Sequence, residues 1–118
     1  MCIRDSADTV LIAVPEYNGG YSPLYKNTID WLTRLDMRFL GGKYHGLISA
    51  SPGPGGGARG QVQVTQQLEN MQLSVHPNGF TLPGAPEALA ADEIPGLAPW
   101  VAGFVDAARA NSAEKDAS

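Results

Sequence analysis

The stretch Asp8-Thr-Val-Leu-Ile-Ala-Val14 is a continuously apolar, β-branched run that stops at Pro15. Without polar alternation and too short for a helix, it reads as a strand of a parallel sheet buried on both faces. A turn segment, Glu16 to Tyr21, follows, and then Ser22-Pro23. This pair marks a helix start, with Ser22 as N-cap and Pro23 at the first helical position, where a missing N–H costs nothing. A buried strand that hands the chain through a Gly-rich loop to a helix N-terminus is half of a parallel βαβ unit, and it restricts the fold class more than any other stretch.

The rest of the chain repeats the pattern. The first helix carries Leu24, Tyr25, Thr28, Ile29, Trp31, Leu32 and Leu35, an apolar stripe wider than packing on one sheet requires. Gly41-Gly42 lead into a second strand, Tyr44 to Ala50, closed by the Gly-rich loop Ser51 to Gly60. Val64, Leu68, Met71 and Val75 recur at helical spacing and predict a helix from Arg59 to Leu73. A third strand is expected near Gly79 to Leu82, at an edge, because Pro77 cannot donate to a ladder. After a loop with Pro83, Pro86 and Pro95, Pro99 leads into a last helix with Trp100, Val101, Phe104, Val105 and Ala108 on one face. The polar tail, residues 111–118, is expected to fray.

The order β-α-β-α-β-α implies a parallel sheet in an α/β fold. Three strands are few beside the five or six or so of an average sheet, so residues 8–110 read as the C-terminal part of one larger domain. Residues 1–7 match neither a strand nor a cap and read as a non-native or mispredicted start. The chain has 118 residues and 43% hydrophobic side chains, enough for one core. No apolar run approaches the roughly 20 residues of a membrane span and no leader pattern opens the chain, and a single cysteine, Cys2, suits a reducing compartment. The expected location is cytoplasmic. Eight Lys and Arg against twelve Asp and Glu, unclustered, give a net charge of −4, which disfavours nucleic acid and leaves a small molecule as the expected ligand.

In such a sheet the loops Pro15 to Tyr21 and Ser51 to Gly60 leave the carboxyl ends of strands side by side, where open α/β sheets bind ligands. Gly19, Gly20, Gly53, Gly55, Gly56 and Gly57 let a flat, hydrogen-bonding ligand approach backbone, although glycine clusters also serve ordinary turns. Neither loop is a Walker A sequence. Tyr17 is a turn aromatic or a stacking wall, Asn18 a left-handed turn residue or a ligand, and Glu16 most simply a solvated charge. His45 and His76 have no triad spacing, and neither a side-chain catalyst nor a metal site is expected.

The stretch Pro15-Glu16-Tyr17-Asn18-Gly19-Gly20, followed by Ser22-Pro23-Leu24-Tyr25-Lys26-Asn27-Thr28-Ile29-Asp30-Trp31-Leu32, resembles the signature of NAD(P)H-dependent FMN reductases. This flavodoxin-like family includes chromate, quinone and azo reductases. Ser49-Ala50-Ser51-Pro52-Gly53 with Gly56-Gly57-Ala58-Arg59 resembles its second flavin loop, and the likeness covers roughly residues 8 to 82.

The resemblance implies a three-layer flavodoxin-like domain of which this chain holds the C-terminal β-α-β-α-β-α part. It implies FMN as cofactor, NAD(P)H as co-substrate, and a quinone, flavin, azo compound or metal ion as acceptor. Pro15, Glu16, Tyr17, Asn18, Gly19 and Gly20 then match the loop that holds the isoalloxazine ring through backbone groups. Ser51 matches a second-loop contact, and Gly53 and Gly57 match glycines that keep that side open. The helix 23–35 matches one that packs against a second subunit in homodimers or homotetramers. The family's first strand and Gly-Ser-x-Arg-type phosphate loop have no counterpart here. A reading from another class is a non-catalytic flavodoxin-like electron carrier or interaction module.

Overall fold

The computed structural model describes residues 7–36 and 40–117. Cys2 and all of the expected non-native start except Ala7 lie outside the described residues. The elements are β1 (Thr9–Ala13), α1 (Pro23–Leu35), β2 (Tyr44–Ala50), α2 (Ala58–Asn70), β3 (Ser74–Val75), β4 (Phe80–Leu82), the single turn α3 (Ala85–Ala88) and α4 (Leu97–Ala117). Every strand pair is parallel, with β2 central. β1 lies on one side of it, with Ile12 opposite Leu47. On the other side β3 and then β4 share one edge, with His45 opposite Val75 and Ser49 opposite Thr81.

Three layers result. On one face, Val64 and Leu68 of α2 close over Val14 and Leu47, with Ile12, Tyr21 and Tyr25 packed around them. On the other, Phe104 and Ala108 of α4 cover Tyr44. Gly46 makes this second contact possible, because a Cβ there would stand 2.6 Å from the Phe104 ring. Tyr44, Phe104, Trp100 and His76 form a ring cluster with neighbouring centroids 5.4 to 5.7 Å apart. The Tyr44 hydroxyl lies 2.7 Å from His76 Nδ1, and Trp100 Nε1 donates to the Asn78 carbonyl at 2.7 Å, which ties α4 to the β3–β4 connection.

Local chemistry accounts for the element ends. Ser22 Oγ accepts from the Tyr25 amide at 3.2 Å and Pro23 opens α1, as the sequence requires. α2 stops at Asn70, short of the expected Leu73, because Gln72 turns left-handed (φ +61°). The Leu73 amide then donates back to Leu68 O at 3.1 Å and the Gln72 amide to Glu69 O, a Schellman cap. The third strand begins earlier than expected, at Ser74, and is split where Pro77 and left-handed Asn78 interrupt pairing. The 111–117 segment does not fray but continues α4. A turn of helix, α3, replaces part of the expected Pro-rich loop, with a proline in its first turn, where no N–H is needed.

β1 differs from expectation most. It is not buried on both faces: Val10 and Ile12 face α1, while Thr9, Leu11 and Ala13 are exposed, Leu11 by 53%. α4 sits over β2 and leaves that face of β1 uncovered. α1 is likewise half-partnered. Only Ile29 is buried, and Leu24, Trp31 and Leu35 are 76%, 65% and 80% exposed.

His45, wholly buried in β2, lies 3.0 Å from the Ser74 carbonyl through Nδ1, while its Nε2 has no partner among the described residues. The carbonyl assigns a proton to Nδ1, and the buried, partnerless Nε2 favours the neutral ring. Burial lowers the pKa of this imidazole, and the bond to Ser74 opposes the effect only in part. Folded and unfolded chains are both neutral at His45 above pH about 6.5. Below it the unfolded chain gains a proton that the folded chain resists, so stability falls with pH. The melting temperature should drop between pH 7 and pH 5, and His45→Gln should flatten that drop. An equally steep drop in the variant would place the acid sensitivity elsewhere.

Candidate functional site

Parallel pairing sends the chain off the carboxyl ends of β1 and β2 on the same edge of the sheet, so the loops 15–21 and 51–57 stand side by side. The first is a tight reverse turn. The Tyr17 amide donates to Gly20 O at 2.8 Å and the Gly20 amide to Tyr17 O at 3.0 Å, with Asn18 and Gly19 both left-handed at φ +53° and +79°. These are the demands of a type I′ turn, for which Asn-Gly is the favoured pair. Asn18 is therefore the left-handed turn residue. Tyr17 projects from the rim, 56% exposed, and Pro15 is exposed beside it.

Glu16 is not a solvated charge. Half-buried, its Oε1 accepts the Gly60 amide at 3.2 Å in the first turn of α2, where Gly57, the N-cap, has no side chain to cap with. A carboxylate also suits the positive end of the helix dipole. On the other flank of the turn, Gln63 Oε1 accepts the Tyr21 amide at 3.3 Å. The loop sits low on α2 because Gly60 carries no side chain: a Cβ there would stand 3.3 Å from Gly20 O and from Val14 Cγ1. The exposed Arg59 runs beneath Gly19.

The second loop is braced from below and from the side. Ser49 Oγ donates to Gly56 O at 2.7 Å, and buried Gln61 gives Nε2 hydrogens to Ser49 Oγ at 2.6 Å and to Phe80 O at 2.8 Å. Ser51 trades backbone bonds with Leu82 and Ala85, and its Oγ reaches Gly53 O at 3.4 Å. The two glycines expected to keep this side open part company. A Cβ on Gly53 meets nothing within 4 Å, whereas Gly57 is buried at φ +87° and a Cβ on it would stand 2.7 Å from Ser49 Cβ. Gly57 serves packing; Gly53 and Gly55 face open space.

No backbone carbonyl of the described residues takes the amides of Asn18, Gly19, Gly53 or Gly55. The Gly20 amide, expected to face a ligand, is committed to the turn instead. At the foot of the loops lies an apolar cavity of about 490 Å³ lined by Ala13, Pro15, Ile48, Ala50, Leu82 and Leu97. Apolar walls beside a few uncommitted loop amides suit a flat ring with polar edges. In α1, packed against the α2-side core, the Tyr25 hydroxyl is buried without a partner among the described residues, and desolvation first, then Tyr21 and Asp30, push it up to about 12. It stays protonated. Among the described residues no group of three or more His, Cys, Asp or Glu is placed to hold a metal, and no helix is long and apolar enough to cross a membrane.

The roles of Gly60, Gln61 and Gln63 do not follow from the apolar spacing of Val64, Leu68 and Met71 that marks this helix. A glycine inside a helix, at about 1 kcal/mol relative to alanine, was the available signal.

The family model of the NADPH-dependent FMN reductases matches residues 4–87. The chain is 40% identical over 72 residues to an NAD(P)H-dependent FMN reductase of Pseudomonas aeruginosa, covering 61% of this chain and 38% of that protein. It is 45% identical over 62 residues to the quinone reductase of Escherichia coli, covering 52% and 33%. The solved structure of FerB, a flavoenzyme NAD(P)H:(acceptor) oxidoreductase from Paracoccus denitrificans, superposes with a TM-score of 0.70 at 34% identity, covering 89% of this chain and 60% of FerB. That likeness makes the fold flavodoxin-like. The chain spans between a third and two fifths of the curated relatives' length.

The split between the two glycines is testable by urea unfolding. Gly57→Ala should cost about 1–3 kcal/mol, from a left-handed φ and the collision with Ser49. Gly53→Ala should stay within about 0.5 kcal/mol of the parent. Equal losses at both would contradict the placement.

Proposed function

Because the chain belongs to the NADPH-dependent FMN reductase family, we propose that it forms the ring-binding side of an FMN site in a reductase that takes electrons from NAD(P)H. The observation that carries this is the pair of loops itself, the two walls of a slot: the amides of Asn18, Gly19, Gly53 and Gly55, which no backbone carbonyl of the described residues takes, stand on loops that rise from an apolar cavity lined by Pro15 and Ala50. Those amides hydrogen-bond the polar edges of the ring, Tyr17 walls its exposed side, and Ser51 offers a hydroxyl to the second edge. The described loops gather no cluster of cations and hydroxyls to neutralise a phosphate, so the assignment is to the ring and not to the phosphate.

Acceptance of a hydride from NAD(P)H and its delivery to an acceptor is the chemistry that bound FMN supplies. The chain's residues bind, orient and exclude water; none is required as an acid or base. The acceptor is a small molecule: a quinone in the first instance, and a free flavin, azo compound or metal ion in the same class of use. Names of relatives support the quinone, since one of them is a quinone reductase. The exposed Leu24, Trp31 and Leu35 on α1 support a homodimer or homotetramer built through that helix, in the cytoplasm.

Purified chain titrated with FMN should quench flavin fluorescence, and NADPH should bleach the bound flavin. Bleaching only by a reduced partner protein would make the module an electron carrier. Gly19→Val places a β-branched residue at φ +79° and should weaken FMN by about 5- to 150-fold, the equivalent of strain of about 1–3 kcal/mol that shifts the turn away from its binding shape. Tyr17→Ala should weaken it less. Retained flavin in Gly19→Val alongside its loss in Tyr17→Ala would reverse the assignment of backbone and wall.

A further inference from the structure

The turn at residues 17–20 consists of exposed and half-buried residues with two consecutive left-handed positions, a segment with little packing of its own. Yet both of its flanks are pinned to one helix. Before the turn, Glu16 Oε1 takes the Gly60 amide at 3.2 Å; after it, the Tyr21 amide is taken by Gln63 Oε1 at 3.3 Å. Gly60 and Gln63 are three residues apart, hence on one face of α2. Gly60, having no Cβ, lets Gly20 O settle against that face. α2 itself begins at Ala58, directly after the second loop. The same helix turn therefore references both walls of the slot.

We infer that Glu16 and Gln63 are positioning residues, a two-point clamp that presets the gap between the two loops and aims the Asn18 and Gly19 amides before any ligand arrives. This deepens the reading of the slot as an FMN site and rests on it. The clamp acts through acceptor oxygens: what each side chain must present is a lone pair at the right distance. The Glu16 carboxylate is engaged by the Gly60 amide of α2. Its effect on binding is preorganisation, since ordering a loop at the moment of binding subtracts from affinity.

Acceptor chemistry sets the test. Glu16→Ala and Gln63→Met remove the acceptor, while Glu16→Gln and Gln63→Glu retain an oxygen at the same reach. In the ligand-free 118-residue chain, hydrogen exchange at the Gly60 amide should quicken in Glu16→Ala, and at the Tyr21 amide in Gln63→Met. FMN affinity, measured by fluorescence titration well below the melting temperature of each variant, should fall about tenfold in Glu16→Ala, the size of one charge-assisted, part-buried hydrogen bond. It should fall about threefold in Gln63→Met, whose bond is neutral and exposed. The conservative variants should recover most of it. The double variant should lose less than the product of the single losses, because either release frees the turn.

A merely structural role predicts something else: lower melting temperatures with FMN affinity unchanged in the folded protein, and that result overturns the inference. Unaltered exchange at Gly60 and Tyr21 in the acceptor-free variants overturns it as well. If the unsubstituted chain binds neither FMN nor riboflavin, which carries the same ring without the phosphate, the assigned ring site is wrong, whereas the exchange rates still judge the clamp.

Discussion

The parallel pairing of β1 with β2 is the constraint on which the rest depends. It places Val14 over Leu47, Val64 and Leu68, and at the same edge it releases both glycine-bearing loops side by side. Burial of these apolar side chains, of order 1.5–3 kcal/mol each, is what holds α2 against the sheet. Because α2 also receives Glu16 and Gln63's acceptor bond to Tyr21, the core and the slot are one mechanical unit. Loosening the core under α2 moves one wall of the slot relative to the other.

Two of the buried polar side chains, Ser49 and Gln61, secure the second loop. Gln61 joins Ser49 to Phe80 and so fixes the second loop to the β4 edge. Gly79 leaves the room for that amide, since a Cβ there would run into Gln61. His45 and Tyr25 are different: each has a buried polar atom without a partner among the described residues, and desolvation by burial favours the uncharged form of both. The uncovered surfaces lie opposite: the exposed face of β1 around Leu11, and the α1 stripe of Leu24, Trp31 and Leu35.

Where structure is decided locally, the sequence was legible. Ser22-Pro23 marked the start of α1, and the apolar runs marked β1 and β2 to within a residue or so. The excess width of the α1 stripe announced side chains that the fold leaves exposed. Decisions made by tertiary contact were not legible. Gln72 takes the left-handed cap that glycine usually signals, and Ser74–Val75 is too short to show a period. The loops were found as glycine clusters, yet their glycines do unlike jobs: Gly57 packs, Gly53 opens, and Gly60 admits a neighbouring loop. Glu16 looked like any loop carboxylate, because its partner is 44 residues away.

The proposed flat ring lies between the loops after β1 and β2. Amide chemical shifts of an isotope-labelled chain during titration with FMN test this directly. Saturable changes should concentrate at Asn18, Gly19, Gly53 and Gly55, where amides are unclaimed, with smaller ones at Tyr17 and Ser51, while Gly103 and Ala108 of α4 hold still. Changes centred on α4, or none at these loop amides while FMN is bound, would contradict it.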